Sequence, residues 1–103
     1  MSGNGARQDA SKEASQAPYR FTCLNNRAKR EFAVLLDDAA LREKLKMLQQ
    51  QPRNALKAHK TKGKLQGYWE CHLEADLLML YEIDDTKREI IVIRIGMHKD
   101  IFG

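Results

Sequence analysis

Apolar positions along this chain change period several times, and each change marks an element. Tyr19, Phe21 and Cys23 alternate with Arg20 and Thr22, and this period of two predicts a strand over 19–24. Ala28, Phe32 and Leu35 or Leu36 then recur at helical spacing behind Asn25 or Asn26, either of which is a fair N-cap, so a helix is expected to about Leu36. Asp37 or Asp38 caps a second helix over 39–50 with Leu41, Leu45 and Leu48 inward, and Gln51-Pro52 ends it because a residue before proline is driven out of the helical region. The two helices form a hairpin. Residues 52–66 read as a basic loop, with short helical content around Asn54–Ala58. Strands follow over 67–74, 77–83 and 88–95, separated by turns at Ala75-Asp76 and Asp84-Asp85-Thr86. Links this short favour antiparallel neighbours. The order β-α-α-β-β-β predicts an α+β domain with the helical hairpin on one face of an antiparallel sheet.

The totals refine this picture only a little. A chain of 103 residues is one domain, and 43% hydrophobic content permits a core without disulfides or metal. Residues 1–17 are rich in Ser, Gly, Ala, Gln and Asn, and are expected to be a disordered tail ahead of a domain at 18–103. Cys23 and Cys71 form no metal motif and fall in strands, so both are expected as buried thiols. With no signal-like segment and no membrane span, the chain is expected in the cytoplasm. The charge distribution says more than the net +4. Between Glu43 and Glu70 there is no acid, while Lys44, Lys46, Arg53, Lys57, Lys60, Lys62 and Lys64 follow one another. Such a run is either a solvated face or a track for phosphates.

All three histidines fall after this run begins: His59 in the loop, His72 in the second strand and His98 past the last strand. Imidazole both takes and gives a proton near neutrality, which suits metal-free cleavage of RNA by its own 2′-OH. Strand alternation puts Trp69, Cys71 and Leu73 on the core face, and Tyr68, Glu70, His72 and Glu74 on the other; Asp76 shares the parity of His72. Gly63 and Gly67 bracket the strand entry, as a turn or as a close approach to ligand. Gly96 ends the last strand and releases a segment carrying His98 and Phe102. A zinc site built from the three histidines and Asp76 is set aside, since the His72–His98 gap has no ligand signature; no cofactor and no metal are expected.

The spacing His59-x3-Gly63-x3-Gly67-x4-His72-x3-Asp76, then Arg94-x-Gly96-x-His98-x3-Phe102, resembles the YafQ branch of the RelE-like toxins, ribosome-dependent mRNA interferases of bacterial type II toxin–antitoxin systems. The resemblance spans about 19–103 and implies a RelE-like fold, a cognate antitoxin, and action on mRNA at the 70S ribosome. It implies roles in cleavage for His59, His72, Asp76, His98 and Phe102, and beside it Lys60, Lys62 and Lys64 of the basic run, with Arg94 and Lys99, are expected to bind substrate together with Phe102. His98 is expected as general acid and His72 with Asp76 as base, with Asp76 itself or His59 as alternatives. Two positions depart from the family pattern: Leu77 stands where Trp is usual, and Lys60 where Pro is usual. Leu77 keeps a second reading in play, a RelE-fold module that binds RNA or antitoxin without cutting. A gyrase inhibitor of the ParE type is a further alternative, disfavoured by the three histidines.

Overall fold

A computed structural model describes residues 17–63 and 66–102. The chain runs β1 (Arg20–Cys23), α1 (Asn26–Leu35), α2 (Ala39–Gln50), a 3-10 turn (Ala55–Lys57), β2 (His59–Lys60), β3 (Trp69–His72), β4 (Leu77–Asp84), β5 (Glu89–Met97) and α3 (His98–Phe102). The five strands form one sheet in the order β1-β5-β4-β3-β2. The expected tail falls almost wholly outside the described residues.

Both hairpin helices start where the sequence placed them. The Asn25 side chain accepts from the Ala28 amide at 2.9 Å, and that of Asp38 from the Leu41 amide at 3.1 Å. Each cap satisfies a donor the helix cannot, and is worth about 1 kcal/mol. Ala28 and Leu35 of α1, with Leu41, Leu45 and Leu48 of α2, meet Cys71, Met79, Tyr81, Ile90, Val92 and Ile95 of the sheet in one core. Tyr81 is fully buried, and its hydroxyl donates to the Pro52 carbonyl at 2.6 Å. That bond ties the chain end of α2 to the middle of β4.

The α+β class and the placement of the hairpin hold, but the sheet is mixed. β2, β3, β4 and β5 pair antiparallel, as their short links require, whereas β1 lies parallel to β5, with Arg20 opposite Glu89 and Cys23 opposite Val92. No hairpin joins β1 to any neighbour, so nothing local fixes its direction, and a long crossover admits the parallel arrangement. Beside β1, Asp85 in the β4–β5 turn accepts from the Tyr19 hydroxyl and takes a two-pronged bond from Arg53 at 3.1 and 2.7 Å. These bonds hold the Asp85 carboxyl well down, at about 2, Arg53 first and Tyr19 second.

Two further differences shape the other face. Leu80 pairs with Arg94 but Tyr81 pairs with Val92, so Ile93 is an extra residue in β5. This bulge resets the alternation, letting Ile90, Val92 and Ile95 all join the core while Arg94 enters the row of Leu80 and Glu70. Past the end of β1 the edge of β5 would be bare; the Glu31 carboxylate from α1 accepts the Ile95 amide there at 2.8 Å. The segment released after Gly96 is not loose. It is the helix α3, folded back on β5 so that Ile101 Cγ1 lies 3.7 Å from where a Gly96 side chain would begin.

Candidate active site

Register brings the histidines together from three elements. His59 of β2 lies directly opposite Glu70 of β3, and His72 follows two residues on, on the same face. His59 is positioned by its approach. Leu56 and Lys57 both adopt left-handed backbone, at φ 56° and 58°, which side chains with a Cβ disfavour by about 1–2 kcal/mol each. This tight double turn delivers the Lys57 carbonyl to 2.9 Å from His59 Nδ1. Gly63 (φ 72°) and Gly67 (φ 102°) supply the left-handed positions of the β2–β3 hairpin tip, and a Cβ on either would meet only open space, so they serve the turn.

The proton arrangement at His59 follows from its two partners. A carbonyl only accepts, so Nδ1 is a donor. Nε2 lies 2.8 Å from Glu70 Oε1. A carboxylate also only accepts, so one proton is held between the two groups, as imidazolium–carboxylate or as imidazole–carboxylic acid. The Glu70 side chain is only 9% exposed against 51% for His59, so the pair reaches from the protein interior to the surface. The His72 ring is 6.0 Å from that of His59, centre to centre.

A cleft of about 370 Å3 opens over this pair, lined by His59, Lys60, Thr61, Lys62, Glu70, His98 and Phe102. His98 arrives from the start of α3, and its backbone amide donates to the Asp76 carbonyl at 3.1 Å. Four residues on, one turn of helix puts the Phe102 ring 4.9 Å from the His98 ring. Both His98 and Phe102 are exposed. The cleft therefore holds two imidazoles, one buried carboxylate, two lysines and an aromatic ring that can stack on a base.

The residues singled out in the sequence divide into groups. His59, His98, Lys60, Lys62 and Phe102 share the cleft. His72 stands at its edge beside His59 and faces a neighbouring cleft with Lys44, Lys57 and Glu74. Asp76 and Lys99 border a second cleft on the far side of His98. Among the described residues no hydrogen bond joins His72 to Asp76, so Asp76 reaches the site through the backbone of His98. Arg94 lies two strands, about 10 Å, from Glu70; its Nε is 3.6 Å from Glu31, and it does not line the main cleft. Lys64 lies outside the described residues. The basic run is also more engaged than its sequence suggests. Lys44 donates to the Leu73 carbonyl at 2.7 Å, Lys46 pairs with Glu43, Arg53 with Asp85, and Lys60 sits 5.5 Å from the Trp69 ring centre.

Glu70 is the residue the sequence concealed. Its parity was legible, but its partner sits across a hairpin whose register no local signal specifies. Together His59, Glu70 and His72 also present one ligand atom each within 4.8 Å of one another, a set that can hold a metal ion.

Comparison with known proteins places the chain and its fold. The sequence profile described as the bacterial toxin of type II toxin–antitoxin systems, YafQ, matches residues 20–103. No curated protein matches the chain. Among solved structures, it is similar to a metal-bound toxin from Helicobacter pylori, with 27% identity and a TM-score of 0.61 over 82% of this chain and 99% of that one. The fold is shared with the DinJ–YafQ toxin–antitoxin complex of E. coli (19% identity, TM-score 0.59, 84% of this chain and 99% of that one). It is shared too with the RelBE2 toxin–antitoxin complex of Mycobacterium tuberculosis (21%, 0.61, 79% and 92%).

Proposed function

Because the chain belongs to the YafQ family of bacterial toxins of type II toxin–antitoxin systems, we propose that it is a ribosome-dependent endoribonuclease that cuts mRNA in the cleft between His59 and Phe102. The observation that carries this reading is the meeting of the His59–Glu70 pair with His98, Phe102 and two lysines around one opening. Cleavage by an RNA's own 2′-OH needs an acceptor for the hydroxyl proton, a donor for the departing 5′-oxygen, and cations for the phosphorane. Glu70, deprotonated and backed by His59, takes the 2′ proton. The His98 imidazolium gives its proton to the 5′-oxygen as the P–O bond breaks, leaving a 2′,3′-cyclic phosphate and a free 5′-hydroxyl. Lys60, Lys62 and the cationic form of His59 stabilise the equatorial oxygens. Phe102 stacks on a base beside the scissile bond and, against His98, holds the acid in line. His72 stands behind His59 and limits its movement.

Leu77 fits this assignment. Its backbone pairs with Met97, immediately before His98, and closes the turn after His72 through bonds to Leu73 and Glu74. It props the sheet end beneath the acid without lining the cleft. A cognate antitoxin completes the system, as the two toxin–antitoxin complexes of the same fold suggest. Leu24, Val34, Leu36 and Met47, exposed on and beside the helical hairpin, offer apolar anchors for its segment.

Primer extension on mRNA translated in a purified system tests the proposal. Cuts are expected within codons, only on translating ribosomes, with His98→Ala slowed about 10²–10⁴-fold, the usual worth of a placed acid. Absence of cuts by the free wild-type protein, shown separately to retain antitoxin binding, would favour the non-cutting module.

A further inference from the structure

We infer that the cavity between Arg53 and Arg88 binds one backbone phosphodiester of an RNA strand, outside the cleft in which cutting is proposed. The inference deepens the nuclease reading and rests on it only for the identity of the anion as RNA; it needs no cleavage. The cavity, of about 350 Å3, lies beside the β4–β5 turn, at the opposite end of the sheet from His98, and is lined by Tyr19, Gln50–Asn54 and Arg88. Arg88 is held there against its preference. Its φ of 55° lies in the left-handed region that a side chain with a Cβ disfavours. Its guanidinium lies over the buried Tyr19 ring, 4.1 Å from the ring centre, and donates to the Ala17 carbonyl. Its Nε is buried and has no hydrogen-bond partner among the described residues. Strain and an unmatched donor on one residue mark a binding position rather than a folding one.

Charge and donors both fit a phosphodiester. Arg53 uses two of its five N–H groups on Asp85 and keeps the others. Asp85 is ionised at neutral pH, since its carboxyl is held at about 2. It offsets one of the two guanidiniums, so the site keeps a single positive charge, the complement of the single negative charge on a phosphodiester. Planar guanidinium forks match phosphate oxygens. The side-chain amides of Gln50, Gln51 and Asn54 add neutral donors around them. What lies between the cavity and the cleft points to a strand rather than an isolated anion. Arg53 is 5.8 Å from the centre of the Trp69 ring, Lys60 is 5.5 Å from the same centre, and Lys60 lines the cleft. Cation, half-buried indole and cation form a line between the two openings. A chain of phosphates can follow that line, and a single carboxylate cannot use it.

The test has two arms, both with the full chain over a range of salt. One is fluorescence anisotropy with 2′-O-methyl oligouridine, which lacks the nucleophile and is not cut; the other is co-sedimentation with vacant ribosomes. Arg88→Gln should weaken binding about 10-fold in at least one arm. In that arm the slope of log K against log salt should become shallower by about 0.7–0.9, the share of one phosphate. Arg53→Gln combined with Asp85→Asn removes the fork at unchanged net charge, and should weaken the same arm at least about threefold. Arg30→Gln, on α1 and outside the cavity, removes as much charge as Arg88→Gln and should bind as wild type. Circular dichroism checks that each variant is folded, and Arg88→Gly, which relieves the left-handed backbone, replaces Arg88→Gln if that variant unfolds. A loss on the oligonucleotide assigns the phosphate to the strand that threads the cleft; a loss confined to ribosomes assigns it to ribosomal RNA. An Arg88 or Arg53–Asp85 variant with wild-type affinity in both arms, or an equal loss from Arg30→Gln, overturns the site. If the wild-type protein binds RNA through Arg88 but cuts nothing, the nuclease reading falls and the site stands. If it cuts, and Arg88→Gln binds both RNAs like wild type, the site falls and the nuclease reading stands.

Discussion

Replacing Glu70 by Gln separates chemistry from structure at the centre of the cleft. The amide keeps the size of the side chain and can still accept one hydrogen bond from His59, but it cannot take a proton. Loss of a placed proton acceptor is worth about 10²–10⁴ in rate, or about 3–5 kcal/mol of barrier. The structural cost is smaller. A bond to a charged group is worth about 1.5–3 kcal/mol when both partners are buried. Here Glu70 is 9% exposed but His59 is 51% exposed, so water already screens the pair. About 1 kcal/mol is the appropriate scale, a Tm shift of about 4–8 °C for a domain of this size. E70Q should therefore remain folded at 25 °C and bind ribosomes while cutting at least about 100-fold more slowly. Single-turnover cleavage at saturating protein reads the chemical step, and sedimentation with ribosomes reads binding. His59→Asn provides the comparison. If Glu70 only orients His59, the two variants and their double mutant lose the same activity; if Glu70 is the base, E70Q loses more than H59N. A rate for E70Q within threefold of wild type would refute the assignment.

Other consequences are open to measurement. Asp85→Asn should lower Tm by a few degrees at neutral pH, as expected for an exposed two-pronged ion pair worth about 0.5–1 kcal/mol. The Asp85 carboxyl is held down from its ordinary 3.8 to about 2 by Arg53 and Tyr19, so its contribution is complete above about pH 4 and disappears as pH falls toward 2. Denaturation curves of wild type and D85N should therefore converge over that window, and a constant gap would contradict the linkage. Tyr81→Phe strands the buried Pro52 carbonyl and should cost about 1–3 kcal/mol in urea unfolding without altering the cleft. Burial pushes the Cys71 thiol up to about 12, so a thiol reagent at pH 8 should modify Cys23 in the native protein and reach Cys71 only after unfolding. Mass spectrometry of the labelled chain distinguishes the two.

What the sequence revealed was local. Helical spacing and the caps at Asn25 and Asp38 located the hairpin, and alternation assigned Trp69, Cys71 and Leu73 to the core face. Strand limits were broader than observed at β3 and narrower at β5, because the ladder, rather than composition, decides where pairing stops. What stayed hidden depended on distant partners. β2 is two residues long and exists only because β3 pairs with it. The Ile93 bulge is a mismatch between two strands and has no marker in either. α3 is too short to be stable alone and forms by docking on β5. The histidine spacing pointed to residues of which His59 and His98 share one cleft, while the pairing of Glu70 with His59 emerged only with the register.

The parallel pairing of β1 with β5 has a bearing on how a cell survives making this protein. Arg20 leaves the ribosome early, yet its strand has no partner until Glu89 has been synthesised. Contacts of such long range form last. His98 of the cleft comes later still, so the nascent chain carries an unfinished sheet and an incomplete cleft throughout its own translation. On the reading proposed above, the toxin is therefore inert while it is being made, and its first opportunity to act coincides with its first opportunity to meet an antitoxin.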